Sequence, residues 1–380
     1  MERIYMDHAA TSPVHPAVID KMTTVMSETF GNPSSIHYYG RESRRYLDEA
    51  REVIAASIGA NVTDIVFTSG GTEADNMALT GVALANRHRG NHIITTEIEH
   101  HAVLHTCEML EKQGFEITYL PVDETGRVAV KDVEDALREE TLIVSIMYGN
   151  NEVGTIQPIK EIGDVLRDHG AYFHTDAVQA YGLAELNVQE LGVDLLSVSS
   201  HKINGPKGIG FLYMAPNVTI SPLLFGGEQE RKRRAGTENV VNIVGFAEAV
   251  NLAKETMAEK RNAYQELKQV MIDVLINEDV RFEINGSLEH SLPHVLNLYF
   301  PGTNVESLLV NLDIAGISVS SGSACTAGSI DPSHVLVSMF GKESDRLASS
   351  VRFSFGLGNQ KEQIERAAFE TAKIVKRLTT

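Results

Sequence analysis

The chain has 380 residues, enough for about two or three domains of ordinary size and for a large buried core. Hydrophobic residues make up 43% of the sequence and charged residues 22%, which excludes a disordered or fibrous chain. The net charge of −18 argues against a protein that coats nucleic acid or an anionic membrane, because the field of the whole molecule repels phosphate groups.

The sequence also gives a first expectation about the compartment. It has no apolar run of the roughly 20 residues that a membrane helix needs, and its first residues lack the pattern of a secretion signal. Its two cysteines are too few for a disulfide framework. We therefore expect a cytoplasmic protein with reduced thiols.

Short β-rich runs alternate with helical patterns in the first two thirds of the chain. The runs predict strands at residues 65–69, 92–96, 116–122, 142–147, 172–176, 195–199 and 209–214. Several are apolar throughout, as in strands that are covered on both faces. Helical patterns at 72–87, 102–113 and 158–169 lie between them. This alternation predicts an α/β domain with a seven-stranded, mostly parallel, doubly wound sheet.

The pattern changes after about residue 250. A long amphipathic helix, or two in series, is predicted at 247–276, and short strands and helices follow it. This favours a second, smaller α+β domain. We place the large domain at residues 16–255 and assign residues 1–15 and 256–380 to the small domain.

Polar or ionisable groups follow five of the predicted strands. In chain order they lie at residues 69–73, 97–101, 148–152, 176–179 and 200–202. Ligands of open α/β sheets bind beyond the carboxyl ends of the strands, so these groups predict a site at one edge of the sheet.

The turn at residues 69–72 joins a predicted strand to a helix and contains two glycines. Glycines allow a close approach of the backbone, and a helix N-terminus offers N–H groups and a positive dipole end, so the turn suits an anion. An ordinary strand–helix turn is the alternative. Neither the P-loop pattern nor a GxGxxG motif after the first strand occurs, which removes the main support for a nucleotide or NAD site.

Three further residues at this edge favour a particular cofactor. Lys202 follows an apolar strand, where desolvation would favour the neutral amine that Schiff-base chemistry requires; a surface lysine is the alternative. Asp176 ends its strand and suits a cationic ring nitrogen, an N-cap, or both. His100 offers a ring for stacking and an ordinary pKa of roughly 6.5, suited to proton transfer. Together with the anion turn, these residues match the requirements of pyridoxal phosphate.

Cys325 lies in a run of small residues at 318–329, which has too little side-chain mass to pack and predicts a mobile loop. A cysteine in such a loop is placed to react, whereas Cys107 in a predicted helix is a packing residue. Arg352, in a predicted strand, either pairs with an acid or clamps a substrate carboxylate.

A metal site is the weaker interpretation of the histidines near this edge. His101 and His105 have the i, i+4 spacing of a metal pair, but no HExxH motif and no third ligand are evident. We therefore expect no metal.

With these residues placed, the chain resembles a cysteine desulfurase, of the class-V aminotransferase-like, fold-type I pyridoxal-phosphate enzymes, from end to end. The matching stretches lie at residues 5–11, 31–35, 69–73, 99–100, 150–154, 174–179, 199–202, 234–237 and 321–325. The long small-residue stretch around Cys325 is similar to the group that serves iron–sulfur assembly and tRNA thiolation.

The resemblance implies pyridoxal 5'-phosphate as the cofactor and a role for each residue around its ring. Lys202 forms the Schiff base with the cofactor. Asp176 pairs with the ring nitrogen, and Gln179 contacts the phenolic oxygen. His100 stacks on the ring and shuttles protons.

The remaining implied roles concern the phosphate, the substrate and the sulfur. The implied phosphate ligands of the same subunit are Gly71, Thr72, Ser199 and His201. Thr237 of a second subunit would complete them, which implies a homodimer. Asn151 and Arg352 bind the carboxylate of L-cysteine. Cys325 attacks the substrate sulfur, leaving alanine and a persulfide on Cys325.

The sulfur acceptor and the substrate each leave alternatives. Relatives that serve an iron–sulfur scaffold often have a longer C-terminal tail than this sequence shows, which favours a tRNA-thiolating enzyme as the acceptor, with the scaffold as second candidate. A selenocysteine lyase would share almost every residue, whereas an aminotransferase has no use for Cys325. A sulfur-relay scaffold without catalysis is the non-enzyme alternative. No membrane and no direct nucleic-acid contact are expected.

Overall fold

A computed structural model describes residues 3–321 and 332–379 of the chain. Its first part carries these elements in chain order: β1 (Ile4–Tyr5), α1 (Pro16–Glu28), α2 (Tyr38–Ser57), β2 (Ile65–Thr68), α3 (Gly71–Asn86), β3 (His92–Thr96), α4 (His101–Lys112), β4 (Glu116–Leu120), α5 (Val130–Ala136), β5 (Thr141–Ser145), α6 (Ile159–Leu166), β6 (Tyr172–Asp176), α7 (Val188–Leu191), β7 (Leu195–Ser199) and β8 (Gly210–Met214). The second part carries α8 (Val240–Asn277), β9 (Glu283–Asn285), β10 (Val295–Tyr299), α9 (Val305–Ile314), β11 (Ile317–Ser318), α10 (His334–Phe340), β12 (Ser350–Ser354) and α11 (Lys361–Thr379).

Seven strands of the described chain form one sheet in the order β2-β8-β7-β6-β5-β3-β4. All are parallel except β8, which runs antiparallel to both of its neighbours, β2 and β7. The prediction of a seven-stranded, mostly parallel sheet is therefore confirmed. Strands β5 and β6 are buried at every position, as expected for strands that are covered on both faces, although β6 ends in the polar residues His174, Thr175 and Asp176.

The strand directions in the sheet explain why the predicted site residues lie at one edge. Because β2, β3, β5, β6 and β7 are mutually parallel, their carboxyl ends lie along one edge, and the loops that follow them meet there. The turn into α3, the start of α4 and the short helical turn after β7 all begin at this edge.

The second part is built on smaller sheets. Strands β12, β10 and β9 form an antiparallel sheet, and β1 pairs in parallel with β11. Single bridges join Asp7 to Ser354 and Ser320 to Arg352. These pairings bring the beginning of the chain against β12, whose central residue Arg352 points towards the edge of the large sheet.

Helix α8 differs from its prediction. It is one continuous helix of 38 residues that begins at Val240, so neither the later start nor the two-helix alternative is right. Its first half, to Ala253, packs in the core of the large sheet, and its second half, from Tyr264, packs in a separate core that includes Ile4 and Met6. The predicted domain boundary at residue 255 falls between these two halves and stays a prediction.

Helices α1 and α2 were not predicted. Helix α2 buries Leu47, Ala50 and Ile54 along one face at a spacing of three and four residues, but eight of its 20 residues are charged. Among the helices of the described residues, none is both long and apolar enough to cross a membrane.

Candidate active site

A pocket of about 390 Å³ lies at the carboxyl edge of the sheet. The predicted site residues that line it are Gly71, Thr72, His100, Asn151, Asp176, Gln179, Ser199, His201, Lys202 and Arg352. They come from the ends of five strands and from β12, so the fold brings together groups that are scattered through the sequence. Which of them bind a cofactor or substrate stays a prediction.

The turn before α3 forms a cradle at one end of the pocket. Gly70 has φ +153°, a conformation that side chains disfavour, and a Cβ at Gly71 would come within 2.8 Å of Val178. No side chain caps this end of α3, so its first N–H groups face the pocket. The carboxylate of Glu73 in the first turn is paired with Arg234, whose guanidinium Nε lies 2.7 Å away. The turn therefore keeps the donors and the dipole that an anion needs.

Lys202 projects into the pocket from the helical turn that follows β7. Its Nζ donates hydrogen bonds to the backbone oxygens of Ala9 and Ala10. Burial, followed by the positive charge of Arg352, lowers the pKa of Lys202 to about 8. About a tenth of the amine is therefore neutral at pH 7, far more than for an ordinary lysine, and the neutral form is the one that attacks a carbonyl.

Asp176 ends β6 at the floor of the pocket and is almost fully buried. Its Oδ1 accepts a hydrogen bond from the N–H of Val178 at 2.9 Å, so the capping role and a ligand role coexist. Burial raises the pKa of Asp176, and burial together with the charge of Asp176 raises the pKa of the neighbouring Asp75. A cation placed against Asp176 would relieve this cost and hold its carboxyl ionised.

His100 is the N-cap of α4, where its Nδ1 accepts a hydrogen bond from the N–H of Ala102 at 3.1 Å. Desolvation by the surrounding protein, and then the charge of Lys202, lowers the pKa of His100 to about 4. The expectation of an ordinary histidine pKa is therefore wrong. At neutral pH the imidazole is neutral, and because Nδ1 is an acceptor, Nε2 carries its proton.

Ser199 lies beside the turn before α3, within 4 Å of the Cβ positions of Gly70 and Gly71, and His201 and Gln179 line the same pocket. His201 contacts the hydroxyl of Thr11 through Nδ1 at 3.1 Å, and burial lowers its pKa to about 4. Ser199 and His201 are thus neutral hydrogen-bonding groups in the pocket that contains the anion cradle, where they can complement the N–H groups of α3.

The structure pairs Arg352 with an acid, Asp7, while its binding of a substrate carboxylate stays a prediction. Its Nη2 donates to Asp7 Oδ1 and to Ser320 Oγ, and its Nη1 donates to the backbone oxygen of Asn151, each at 2.8 Å. Its Nε is buried without a hydrogen-bond partner among the described residues. Arg352 is thus paired with an acid and also lines the pocket, and one of its donors has no partner among the described residues.

Thr237 is not brought into this pocket, and Cys325 cannot be placed relative to it. Thr237 is exposed and does not line it, although Arg234 of the same segment contacts Glu73 next to the anion turn. Cys325 lies outside the described residues, as does most of the run that was predicted to be a mobile loop. Cys107 is fully buried, as predicted for a packing residue.

The pocket also contains residues to which the sequence assigned no role. The ionisable ones among them are Asp7, Asp75, His101, Glu152 and His334. Asp75 gives a local signal, because a carboxylate in an alanine-rich helical stretch needs a partner or a site. The position of His334 could not be inferred, because it depends on how α10 packs against the rest of the chain.

The histidines do not form a metal centre. The ring of His101 lies 4.9 Å from that of His105 and 4.7 Å from that of His334, measured between centroids. In the described ranges, 3–321 and 332–379, no group of three or more His, Cys, Asp or Glu side chains is arranged to hold a metal ion.

The donor set fits pyridoxal phosphate. An anion cradle of unpaired backbone N–H groups, a lysine with a lowered pKa and a deeply buried carboxylate that forms no ion pair within the described chain face the same pocket. These are the three groups that the phosphate, the aldehyde and the ring nitrogen of this cofactor require. Together with the fold, they define a fold-type I pyridoxal-phosphate enzyme.

The pKa of Lys202 leads to a test on the cofactor-free protein. The rate at which it captures pyridoxal phosphate is expected to rise with pH and to level off above about 8, because only the neutral amine attacks the aldehyde. An unperturbed lysine would keep rising towards about 10.4. Stopped-flow absorbance from pH 6.5 to 9.5, with borohydride trapping and peptide mapping at Lys202, measures this. A rate that still climbs steadily above pH 9 would contradict the lowered pKa.

Comparison with known proteins agrees with this class. The family model for class-V aminotransferases matches residues 4–367. A putative cysteine desulfurase IscS 1 of Bacillus subtilis (strain 168) is 65% identical over 379 residues, covering 100% of both chains. A cysteine desulfurase IscS of Dictyoglomus turgidum is 47% identical over 99% of this chain and 95% of its own. The solved structure of a NifS-like protein superposes with a TM-score of 0.92 at 36% identity, covering 99% of this chain and 100% of its own.

The chain therefore belongs to the class-V aminotransferase family and, within it, to the cysteine desulfurases. It is a pyridoxal-phosphate-dependent enzyme.

Proposed function

We propose that this protein converts L-cysteine into L-alanine and keeps the released sulfur as a persulfide on Cys325. The observation that carries the proposal is the arrangement in one pocket of Lys202, Asp176 and Arg352, an amine, a carboxylate and a guanidinium suited to an amino-acid substrate of a pyridoxal enzyme. The cysteine desulfurases among its relatives support the same reaction. In balance, the thiol of Cys325 and L-cysteine give alanine and Cys325–S–SH, so no external oxidant or reductant is consumed.

In the proposed reaction, Lys202, His100 and Cys325 each have a separate chemical role. When bound, pyridoxal phosphate supplies an electron sink for the substrate carbon skeleton. The amine of Lys202 takes and returns the proton at the substrate α-carbon. Neutral His100, with its proton on Nε2, is placed to donate that proton or a hydrogen bond inside the pocket. The thiolate of Cys325 attacks the substrate sulfur while the carbon–sulfur bond breaks, and the carbon is then protonated to give alanine.

The direct experiment measures alanine and sulfide formed from L-cysteine in the presence of a thiol reductant. Equal amounts of both products are expected, because each turnover releases one alanine and one sulfur atom. A yellow, cofactor-loaded protein that forms no alanine would overturn the proposal. Parallel reactions with L-selenocysteine and with amino-acid and keto-acid pairs separate the selenocysteine lyase and aminotransferase alternatives. Complete inactivity with retained sulfur binding would point to the relay scaffold.

We propose that Arg352 and Asn151 bind the substrate carboxylate. Arg352→Lys is expected to lower kcat/KM for L-cysteine by about 10- to 100-fold, mainly through KM, because an ammonium cannot reproduce the planar donor fork. Arg346→Lys is the matched control, since Arg346, in the turn before β12, pairs with Glu283 of β9 but does not line the pocket. Steady-state kinetics with both variants make the comparison. Equal effects would contradict the assignment.

We propose that the enzyme works as a homodimer in which Thr237 completes the phosphate site of the second subunit. Support comes from large apolar side chains that a single chain leaves exposed near this segment and near α2, among them Phe30, Ile36 and Phe225. Each anion turn would then contain groups from both subunits, and neither subunit would have a complete site alone.

Mixed dimers test this arrangement. Lys202→Ala and Thr237→Asp subunits are each expected to be inactive alone, whereas their mixture regains about a quarter of the wild-type activity, because half of the dimers then contain one intact site. Subunit exchange followed by an alanine assay and a mass measurement in solution gives the result. A mixture that stays inactive although the dimers form would place Thr237 in the site of its own chain.

We propose a protein as the sulfur acceptor, with a tRNA-thiolating enzyme as the first candidate and an iron–sulfur scaffold as the second. The small-residue stretch around Cys325 supports transfer to a partner thiol, since it offers little bulk against an approaching protein. Loading Cys325 with ³⁵S from labelled cysteine and mixing it with each purified candidate measures the transfer. Equal labelling of an unrelated thiol protein would show that transfer is not selective.

A further inference from the structure

Gln179 is held at both ends of its amide. Its Nε2 donates to the backbone oxygen of Ala9 at 2.9 Å, and its Oε1 lies 3.1 Å from Nε2 of His294. A backbone oxygen only accepts, so the amide NH₂ must face Ala9 and Oε1 must face His294. The ring of His294 must then donate through Nε2. A flipped amide would set two acceptor oxygens against each other at Ala9.

The protonation state of His294 suits it to donate a hydrogen bond to Oε1 of Gln179. It lies in the turn before β10, where it is almost fully buried, and burial lowers its pKa to about 3, so the ring is neutral and has one proton. Because that proton is on Nε2, Nδ1 is a bare acceptor, and it has no hydrogen-bond partner among the described residues. His294 also lines a cavity of about 30 Å³ together with His8 and Lys202, which has room for a water molecule that donates to Nδ1.

One N–H of the Gln179 amide therefore donates to the backbone oxygen of Ala9, and the second N–H has no acceptor in the described part of the chain. Gln179 lines the active-site pocket, so this second N–H is the group it can offer to a ligand there. Without a donor from His294, Oε1 would be buried and unsatisfied, and the amide would be drawn to turn its oxygen towards another donor, of which Lys202 is one that lines the same pocket.

We propose that His294 is a positioning residue that holds the Gln179 amide so that its free N–H donates to the phenolic oxygen of pyridoxal phosphate. The inference rests on the proposed role of Gln179 in the cofactor site, and it extends the site to a residue 115 positions away in the sequence. A donor at that oxygen stabilises its deprotonated form, so the bound cofactor loses its proton at lower pH when the amide is held correctly.

The test uses the cofactor-loaded protein without substrate. The midpoint pH of the cofactor absorbance change is measured for wild type, Gln179→Leu, His294→Leu, His294→Gln and the double variant of the two leucine substitutions. Gln179→Leu and His294→Leu are each expected to move the midpoint upwards by about one pH unit, since a hydrogen bond to a charged oxygen is lost. His294→Gln, whose amide nitrogen lies close to the position of Nε2, restores the wild-type midpoint. The double variant moves no further than Gln179→Leu, because both changes remove the same interaction.

Several outcomes would overturn the inference. One is a His294→Leu midpoint equal to that of His290→Leu, a control at an exposed histidine of the same segment. Another is a His294→Gln variant that stays shifted, and a third is a double variant whose shift is the sum of the two single shifts. An unchanged midpoint in Gln179→Leu overturns both the inference and the assigned role of Gln179. A protein that shows the expected shifts but forms no alanine from cysteine supports the inference and overturns only the proposed function.

Discussion

Replacing Lys202 with alanine is expected to reduce alanine formation from L-cysteine by at least about a thousandfold. The substitution removes both the amine that captures the cofactor and the group that moves the α-proton, and such paired roles give large losses. The variant is also expected to bind pyridoxal phosphate without a covalent link, because the anion cradle and Asp176 are untouched. Absorbance, borohydride trapping and an alanine assay on the same preparation measure the three effects.

Two controls distinguish the chemistry of Lys202 from its charge and its setting. Lys202→Arg keeps a cation near Asp176 but cannot form a Schiff base, so it is expected to be as inactive as the alanine variant. Lys207→Ala removes an exposed lysine five residues away and is expected to keep the wild-type rate. If Lys202→Ala still binds the cofactor covalently, another lysine has that role and the assignment is wrong.

Replacing Cys325 with alanine is expected to reduce both alanine and sulfide formation by at least about a hundredfold. Without the thiolate, the substrate sulfur has no nucleophile and the carbon–sulfur bond does not break. Cofactor binding and its absorbance are expected to stay as in the wild type. The measurement is a parallel assay of alanine and sulfide, with mass analysis for the added sulfur atom on the peptide containing Cys325.

Cys107→Ala is the matched control for the cysteine, because Cys107 is the only other cysteine of the chain and is fully buried in the core. Burial raises the pKa of its thiol, which keeps it protonated and unreactive at neutral pH. This variant is expected to retain the reaction with some loss of stability. Unchanged sulfide release by Cys325→Ala, or a persulfide found on Cys107, would contradict the mechanism proposed here.

Short sequence patterns were enough to predict most strands of the large sheet. The runs that became β3, β6 and β7 carry their own signal, because they are rich in the β-branched, aromatic and aliphatic residues that buried strands favour. The polar residues after them could be assigned to one edge because parallel strands end on the same side. Helix α2 was missed because its apolar face is narrow among charged residues.

Protonation states could not be predicted in the same way. His100 has the residue type of a proton carrier near neutral pH, but its surroundings and Lys202 lower its pKa to about 4. Arg352 was expected to meet either an acid or a substrate, and which acid it meets depends on a strand pairing across 345 residues. Desolvation and charge depend on neighbours in space, and no local pattern contains them.

The sequence by itself determined the α/β sheet, the edge at which the chemistry lies, and the residue types from which a pyridoxal enzyme is built, because each of these follows from short-range pattern and residue chemistry. The tertiary structure alone decided how these groups are tuned: the lowered pKa of Lys202, the ion pair of Asp7 with Arg352, and the contact of His294 with Gln179. These depend on the packing of β10, β12 and the N-terminal segment against the sheet, where segments far apart in the chain exclude water from one another.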